Sequence, residues 1–179
     1  MSKTKFCIHS ELEIGCPVEL IARDAKRNMI VCFCKDGLLT IVDDLHGKIK
    51  KQWKITDPVY AIDIEGKSGR LLIGSYQNVI SIDPQSLASI PINAGDGPVL
   101  SVTSCKAGIA ASRSIYGTVT LFDGNGKIFH RYDSGIFGIG RVDISETADT
   151  IFECIDDKVQ IISLKSGTKI VPSPSFSNR

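Results

Sequence analysis

The sequence lacks long hydrophobic runs and an excess of charge of either sign. No segment approaches the roughly 18 apolar residues that a membrane-spanning helix needs, and residues 1–9 lack the apolar stretch of a secretory signal. The 21 basic and 20 acidic side chains leave a formal net charge of +1. This balance gives no electrostatic reason to expect binding to nucleic acid or to an anionic membrane. We therefore expect an intracellular protein, cytoplasmic or nuclear.

Catalytic motifs are also missing. The three histidines are His9, His46 and His130. No serine, cysteine or carboxylate motif frames any of them, and Ser101 and Ser114 lack a nucleophile elbow. The glycine groups at residues 95–97 and 135–140 are not followed by the helix that a phosphate-binding loop requires. The sequence predicts no enzyme and no cofactor.

The cysteines do not form a recognisable metal-binding motif. They are Cys7, Cys16, Cys32, Cys34, Cys105 and Cys154. Cys32 and Cys34 share one face of a predicted strand, but no further cysteine or histidine lies nearby in the sequence at a spacing that suits zinc. Cys154 stands at the repeat equivalent of Cys34, which favours a small core position. We expect buried, reduced thiols and no metal site, with a set of disulfides as the alternative.

A hydrophobic pattern with a period of 40 residues dominates the chain. It is carried by Leu39, Val79, Val119 and Val159, and by Val42, Ile82, Phe122 and Ile162. Repeats of this length with several short strands are typical of propeller blades. No stretch has a helical period over the roughly ten residues that a helix would need.

Each repeat contains four apolar runs separated by turn residues. The fold class predicted is all-β, a four-bladed or partial β-propeller of four-stranded antiparallel sheets. The expected blades cover residues 17–56, 57–96, 97–136 and 137–171. Residues 1–16 are expected to supply a strand that closes the ring, and residues 172–179 a flexible tail.

An aspartate ends the third strand of three repeats, after Val42, Ile82 and Phe122. In this feature, in blade length and in strand number, residues 17–171 resemble β-propellers of the WD-repeat class. The tryptophan of the family's Trp-Asp dipeptide is replaced here, and its Gly-His dipeptide is absent. The resemblance implies a divergent propeller whose loops bind protein partners.

Four blades of this size leave the closure of the ring open. The ring could close at four blades, join a second copy to make eight, or be completed by another protein. An unclosed ring would expose apolar sheet faces, which monomers tolerate poorly. We favour assembly, as a homodimer or a complex with protein partners.

One propeller face is the expected interaction surface. Repeat positions in the turn between the second and third strands hold Asp36, Tyr76, Tyr116 and Asp156, and Phe137 lies in a connection between blades on the same face. Amphipathic tyrosines in loops are suited to binding partners. These residues are therefore the predicted partner-binding site, to which Trp53 is added.

Trp53 lies in the strand Lys48–Lys54, which carries four lysines. Tryptophan is a frequent interface anchor, and mixed basic and aromatic residues can contact nucleic acid. The alternative is an outer strand whose lysines block edge pairing, with Trp53 packed against the neighbouring blade. We favour the alternative.

Asp63 and Asp143 occupy equivalent positions on innermost strands, with Thr103 between them in the repeat. In a propeller they would line the central channel, so they could bind a ligand or an ion, or act in catalysis. The leading hypothesis is a non-catalytic scaffold or adaptor, a subunit of a larger protein complex. The alternatives are a ligand-binding or enzymatic channel at Asp63 and Asp143, and a nucleic-acid contact through Lys48–Lys54.

Overall fold

The computed structural model describes residues 11–135, 137–155, 158–164 and 169–170. Within them lie fifteen strands, one 3-10 turn and no α-helix, and every strand pairing is antiparallel. The all-β prediction is confirmed. No helix in this part of the chain has the length and apolar character to cross a bilayer. The chain divides into two compact units, Met1–Ile55 (unit 1) and Thr56–Arg179 (unit 2).

Unit 1 contains one four-stranded sheet in the order β1-β2-β3-β4. Its strands are β1 (Val18–Asp24), β2 (Met29–Cys34), β3 (Leu38–Asp43) and β4 (Lys48–Lys54). β2 and β3 lie at the centre of the sheet and are mostly buried, whereas most of β4 is exposed. The 3-10 turn between β1 and β2 is capped by Asp24, whose carboxylate accepts hydrogen bonds from Lys26 N and Arg27 N at 2.9 and 3.2 Å.

Unit 2 contains a seven-stranded sheet and a four-stranded sheet. The seven strands are β5 (Ala61–Ile64), β6 (Leu71–Gly74), β7 (Tyr76–Ile82), β8 (Ser89–Ser104), β9 (Ile109–Ser114), β10 (Thr118–Asp123) and β11 (Ile128–Asp133). The other four are β12 (Gly140–Ile144), β13 (Thr150–Ile155), β14 (Lys158–Ser163) and β15 (Lys169–Ile170). Because the two halves of β8 pair with β7 and β9 in turn, unit 2 consists of three meanders: β5–β8, β8–β11 and β12–β15.

The continuous β8 differs from the expectation. The sequence predicts separate strands at residues 89–92 and 99–102, with a blade boundary between residues 96 and 97, but the structure keeps the intervening residues in one strand of 16 residues. Gly95 and Gly97 adopt φ values of +114° and +72°. A backbone without Cβ atoms can bend at these points without a break in the strand.

The 40-residue pattern marks buried positions. Leu39, Val79 and Val119 are fully buried, whereas Val159 is 43% exposed. In unit 2, one apolar cluster joins the first and second meanders, around Leu72 and Phe122. A second cluster, which includes Leu121 and Ile151, joins the second and third. Neighbouring meanders thus share a core.

Two predictions about the chain ends fall outside the described residues. Within the segment 1–16, the run expected to form the ring-closing strand is residues 4–10, and the expected tail is residues 172–179. The division between units 1 and 2 falls between Ile55 and Thr56, whereas the sequence predicts a blade boundary between residues 56 and 57, which stays a prediction.

The prediction of reduced, buried cysteines is wrong for three residues. Cys16 and Cys34 form a disulfide with their Cα atoms 6.0 Å apart, and the hydrogen bond from Lys35 N to Pro17 O (3.1 Å) joins the same two segments. Cys32 and Cys105 are free and buried as predicted, but Cys154 is exposed. Cys154 faces outward because exposed and buried side chains alternate along β13. The cysteine at position 7 lies outside the described residues.

Candidate functional site

Three connecting segments lie side by side at one end of unit 2. Backbone hydrogen bonds join them with the loop before β5, from Tyr60 N to Gly74 O (2.8 Å), Val99 N to Ser75 O (2.9 Å), Ile115 N to Pro98 O (2.8 Å) and Gly138 N to Ile115 O (3.0 Å). The bonds from Val99 to Ser75 and from Gly138 to Ile115 link neighbouring meanders, and the other two lie within one meander. The loop backbone is therefore tied to the strands, which fixes where its side chains lie.

This end of unit 2 exposes large apolar side chains. They are Tyr60, Tyr76, Tyr116, Phe137 and Ile139, and we call them the aromatic edge. Tyr116 is 52% exposed, Phe137 69% and Ile139 79%. The rings of Tyr116 and Phe137 meet edge to face with centroids 6.4 Å apart, a favourable aromatic geometry. Of the predicted partner-binding residues, the structure brings these two into contact.

Gly97 shapes the surface under Tyr116. A Cβ atom at Gly97 would lie 2.5 Å from Cε2 of the Tyr116 ring, and Gly97 has a φ of +72°. Only glycine combines this backbone conformation with such a close approach of a ring. The orientation of Tyr116 thus depends on a glycine in the middle of β8.

Tyr76 was predicted in a turn, but it is the first residue of β7 and pairs with Pro98 of β8. A single residue, Ser75, separates β6 from β7. The next residue, Gln77, has a φ of +63°, and the ladder shifts its register between Tyr76 and Asn78. This bulge turns the strand end locally and leaves the Tyr76 side chain exposed.

A buried ion pair supports the aromatic edge from inside. Arg113 on β9 and Glu153 on β13 are both 0% exposed, and Arg113 Nε donates to Glu153 Oε1 at 2.6 Å. Arg113 Nη1 also donates to Gly138 O at 2.8 Å. Gly138 lies between Phe137 and Ile139, so the guanidinium holds in place the loop that displays both side chains.

The pair lies among other buried polar atoms. Tyr132 Oη, Glu153 Oε2 and Gln160 Oε1 have no hydrogen-bond partner among the described residues. Burial raises the pKa of the Tyr132 phenol, and the Glu153 carboxylate raises it further, while Arg113 acts in the opposite direction. The Tyr132 hydroxyl therefore stays neutral at physiological pH.

The predicted channel carboxylates do come close together in unit 2. Asp63 lies on β5, Asp143 on β12 and β8 passes between them. Ser104 Oγ donates to Asp63 Oδ2 at 2.7 Å, and Thr103 Oγ1 donates to Asp143 Oδ1 at 3.3 Å. Burial raises the pKa of the Asp63 carboxyl, hydrogen bonds from Ser104 and Ile64 oppose this rise, and the Asp143 charge adds to it.

This arrangement favours a structural use of the two carboxylates. Each accepts a hydroxyl of β8, so together they cross-link three neighbouring strands. Asp143 borders a surface cavity of about 500 Å³ with Arg141 and Phe152, but Asp63 is not among the residues that line it. This cavity therefore offers only the Asp143 carboxylate to a ligand.

The remaining predicted residues lie in unit 1 or outside the described chain. Asp36 is exposed in the turn between β2 and β3, and Trp53 is half-buried on β4 opposite Leu39. In the stretch Lys48–Lys54, Lys50 forms an ion pair with Asp43 at 3.1 Å. Position 156 falls among the residues not described, so its predicted role stays a prediction.

The basic stretch around Trp53 is partly neutralised. The pKa of Asp43 is held well below its usual range, first by the hydrogen bond with His46 and also by that with Lys50. Asp43 is therefore ionised at neutral pH and compensates one of the four lysines. This observation weakens the nucleic-acid alternative.

Unit 1 also contains a cluster of metal-ligating residue types. One ligand atom each of Cys16, Cys34 and Asp36 lies within 4.8 Å of the others. The sequence search missed this cluster because Cys16 is 18 residues from Cys34, and only the pairing of β1 with β2 brings them together.

Sequence reasoning also missed Tyr60, Ile139 and the ion pair of Arg113 and Glu153. The signal for the pair was present, since positions 33, 73, 113 and 153 are repeat equivalents and read Phe, Ile, Arg and Glu. Opposite charges at adjacent repeats within apolar strands indicate a contact between neighbouring sheets. No protein-family model matches the chain, and a comparison with curated proteins finds no match.

Proposed function

We propose that this chain is a non-catalytic protein-interaction module built from propeller-type blades, which acts as a scaffold or adaptor subunit of a complex. The aromatic edge of unit 2 is its docking surface. The observation that carries this proposal is the contact between the exposed rings of Tyr116 and Phe137, in two loops that the hydrogen bond from Gly138 N to Ile115 O joins. Clustered exposed apolar side chains of this kind mark interaction sites in soluble proteins.

The meander pattern supports the propeller part of the proposal. A propeller needs successive four-stranded antiparallel sheets that share apolar faces. The three meanders of unit 2 share two apolar clusters in sequence order, and unit 1 supplies a further four-stranded sheet. The 40-residue period gives all four sheets the same chain length.

The composition of the aromatic edge suggests the partner's chemistry. Tyrosine and phenylalanine contribute large contact areas at a small cost in conformational entropy. Two exposed aspartates belong to the neighbouring chain segments: Asp57 lies in the loop before β5, and Asp96 lies in β8 next to Gly97. We expect a protein segment with an apolar anchor that fits beside Tyr116 and Phe137, flanked by lysine or arginine.

The rigidity of the edge supports binding rather than catalysis. The Tyr116 ring packs closely against Gly97, and the hydrogen bond from Arg113 to Gly138 O holds the loop of Phe137. A surface ordered in advance loses less conformational entropy when a partner binds. The carboxylates Asp63 and Asp143, in contrast, are occupied with hydroxyl groups of β8.

The test compares one edge variant with a matched aromatic control. The edge variant is Tyr116→Ser with Phe137→Ser, and the control is Phe129→Ser, which removes an exposed ring at the second residue of β11. Wild type and both variants are used in parallel to capture proteins from an extract of the source cells. Captured proteins are quantified by mass spectrometry, and direct binding to each is then measured with purified components.

We expect a partner whose binding falls at least tenfold in the edge variant, corresponding to about 1.4 kcal/mol, and is unchanged in the control. Equal binding by all three proteins would place the docking surface elsewhere. Loss of binding at both sites would indicate nonspecific adsorption of apolar side chains and overturn the proposal.

The proposal includes assembly through the third meander. Alternate residues of β13 and β14 face outward there, among them Phe152, Cys154 and Val159. An open sheet face with these side chains is suited to a second copy or another subunit. Light scattering across a dilution series tests this, because a monomer at all concentrations would exclude self-association.

A further inference from the structure

We propose that unit 1 contains a zinc site that forms when the disulfide between Cys16 and Cys34 is reduced. The ligands are the two thiolates and the carboxylate of Asp36, with water in the fourth position. Their ligand atoms already lie within 4.8 Å of one another. A single ion placed between them would reach all three with small side-chain rotations.

The backbone holds the three ligands in fixed places independently of the disulfide. Lys35 N donates to Pro17 O at 3.1 Å, and Gly37 N donates to Cys34 O at 2.9 Å. Leu38 N donates to Asp36 Oδ1 at 3.1 Å. The first bond ties the Cys16 segment to the end of β2, and the other two fix the turn that carries Asp36. The site is therefore preorganised when the sulfurs separate.

The distances suit a tetrahedral ion. Zinc binds thiolate sulfur at about 2.3 Å, so two thiolates on one tetrahedral ion lie about 3.8 Å apart. The Cα atoms of Cys16 and Cys34 are 6.0 Å apart. That separation allows both sulfurs to reach one ion through rotation about the Cα–Cβ bonds, with the backbone unchanged.

The ligand types and their burial select zinc. Two soft thiolates with one carboxylate favour zinc over calcium or magnesium, which prefer oxygen ligands. Cys34 is fully buried, Cys16 is half-buried and Asp36 is exposed. The ion would therefore sit at the surface of unit 1, open to solvent on the side of Asp36, where a water completes its coordination.

The redox step balances with a thiol reductant. Two thiol groups of the reductant lose two electrons and form their own disulfide, while the bond between Cys16 Sγ and Cys34 Sγ breaks and each sulfur gains a proton. Zinc then displaces both protons as the thiolates bind it. In the reverse exchange the disulfide form of the reductant accepts two electrons from the thiolates and returns to two thiols, the bond between Cys16 Sγ and Cys34 Sγ forms again and the ion is released, so the site couples zinc occupancy to redox state.

The test measures metal binding by the full-length protein in both redox states. Protein reduced with a trialkylphosphine is freed of metal and titrated with Zn²⁺ alone, in competition with a chromogenic chelator. Co²⁺ serves as a spectroscopic probe, because thiolate ligation gives a charge-transfer absorption in the near ultraviolet. We expect one Zn²⁺ per reduced chain and none per oxidised chain.

Four variants assign the ligands. Cys16→Ser and Cys34→Ser should abolish the charge-transfer absorption, Asp36→Asn should weaken Zn²⁺ binding at least about tenfold, and Cys154→Ser should bind as wild type does. Circular dichroism checks the fold of each, and Asp36→Asn keeps both sulfurs in case a cysteine variant fails to fold. Reduced wild type without bound metal, or unchanged binding in Asp36→Asn, would overturn the assignment.

Discussion

Two ion pairs join the second and third meanders of unit 2, and both connect residues 40 positions apart. Lys106 and Glu146 meet at 2.7 Å in the turns before β9 and β13, with side chains 77% and 72% exposed. Arg113 and Glu153 meet at 2.6 Å towards the other end of the same strands, and both are 0% exposed. The repeat creates both contacts, and only their burial distinguishes them.

Burial decides what each pair can contribute. An exposed pair exchanges water contacts for a weak, screened attraction. A buried pair has lost its hydration, so each charge depends on the other and on neighbouring carbonyl groups. The hydrogen bond from Arg113 to Gly138 O links the buried pair to the aromatic edge. We infer that the buried pair positions the proposed docking surface, whereas the exposed pair does not.

The largest effect is expected from Glu153→Ala. The variant leaves the Arg113 guanidinium buried without its counter-charge, which typically costs about 3–5 kcal/mol of unfolding free energy. Urea unfolding followed by circular dichroism measures this loss, because the only tryptophan, Trp53, lies in unit 1. An unchanged midpoint would show that Arg113 finds full compensation elsewhere.

A double replacement, Arg113→Met with Glu153→Leu, removes both charges together. It tests whether the fold needs the ion pair itself or only needs to avoid a single buried charge without a partner. Apolar side chains of similar volume remove both desolvation costs, so we expect recovery to wild-type stability or up to about 1–4 kcal/mol above it. The double variant also loses the bond to Gly138 O. If stability is restored but partner binding is weakened, the ion pair serves to position the loop of Gly138. If the double variant is as unstable as Glu153→Ala, the loss in Glu153→Ala does not come from an unpaired buried charge.

Much of the fold could be predicted from the sequence because apolar periodicity reports burial directly. The apolar runs at residues 29–34, 71–74 and 150–155, each bracketed by turn residues, predict strands with the limits observed for β2, β6 and β13. The continuity of β8 could not be predicted, because Gly95 and Gly97 read as breakers unless their φ values are known. The sequence alone does not distinguish a glycine that bends a strand from a glycine that ends one.

The candidate site could be predicted only for residues whose own type and loop position indicate a role in binding. Tyr116 and Phe137 followed from loop position and amphipathic character, and their contact is observed. The support from Arg113 requires knowing which strands face each other across two sheets. The cluster of Cys16, Cys34 and Asp36 likewise depends on strand pairing, which apolar patterning alone does not fix.

A third effect comes from Asp63, which is half-buried and has a hydroxyl partner instead of an arginine. Because its pKa is raised in the fold, its neutral form is favoured there. The resulting stabilisation is complete below the unfolded value of 3.8 and is lost as the pH rises through the folded pKa.

Asp63→Asn should remove this pH dependence. The variant should be at least as stable as wild type at neutral pH and lose that advantage as the pH falls towards 4. Urea midpoints across this range measure the difference, with the exposed Asp57→Asn as control. A difference between Asp63→Asn and wild type that does not vary with pH would contradict the burial of the Asp63 charge.

The smallest effect is expected from Lys106→Ala, at the exposed end of the same two meanders. Both side chains of this pair keep most of their hydration, so the loss should be about 0.2–1 kcal/mol at low salt. This loss of unfolding free energy should become smaller when added salt shortens the screening length to about 3 Å at 1 M. The measurement is the urea midpoint of Lys106→Ala and wild type at both salt concentrations.

If Lys106→Ala were as destabilising as Glu153→Ala, the shared spacing of 40 residues, and not burial, would determine the strength of these contacts. A small, salt-sensitive loss would instead show that the repeat supplies the geometry of a contact while desolvation sets its energy.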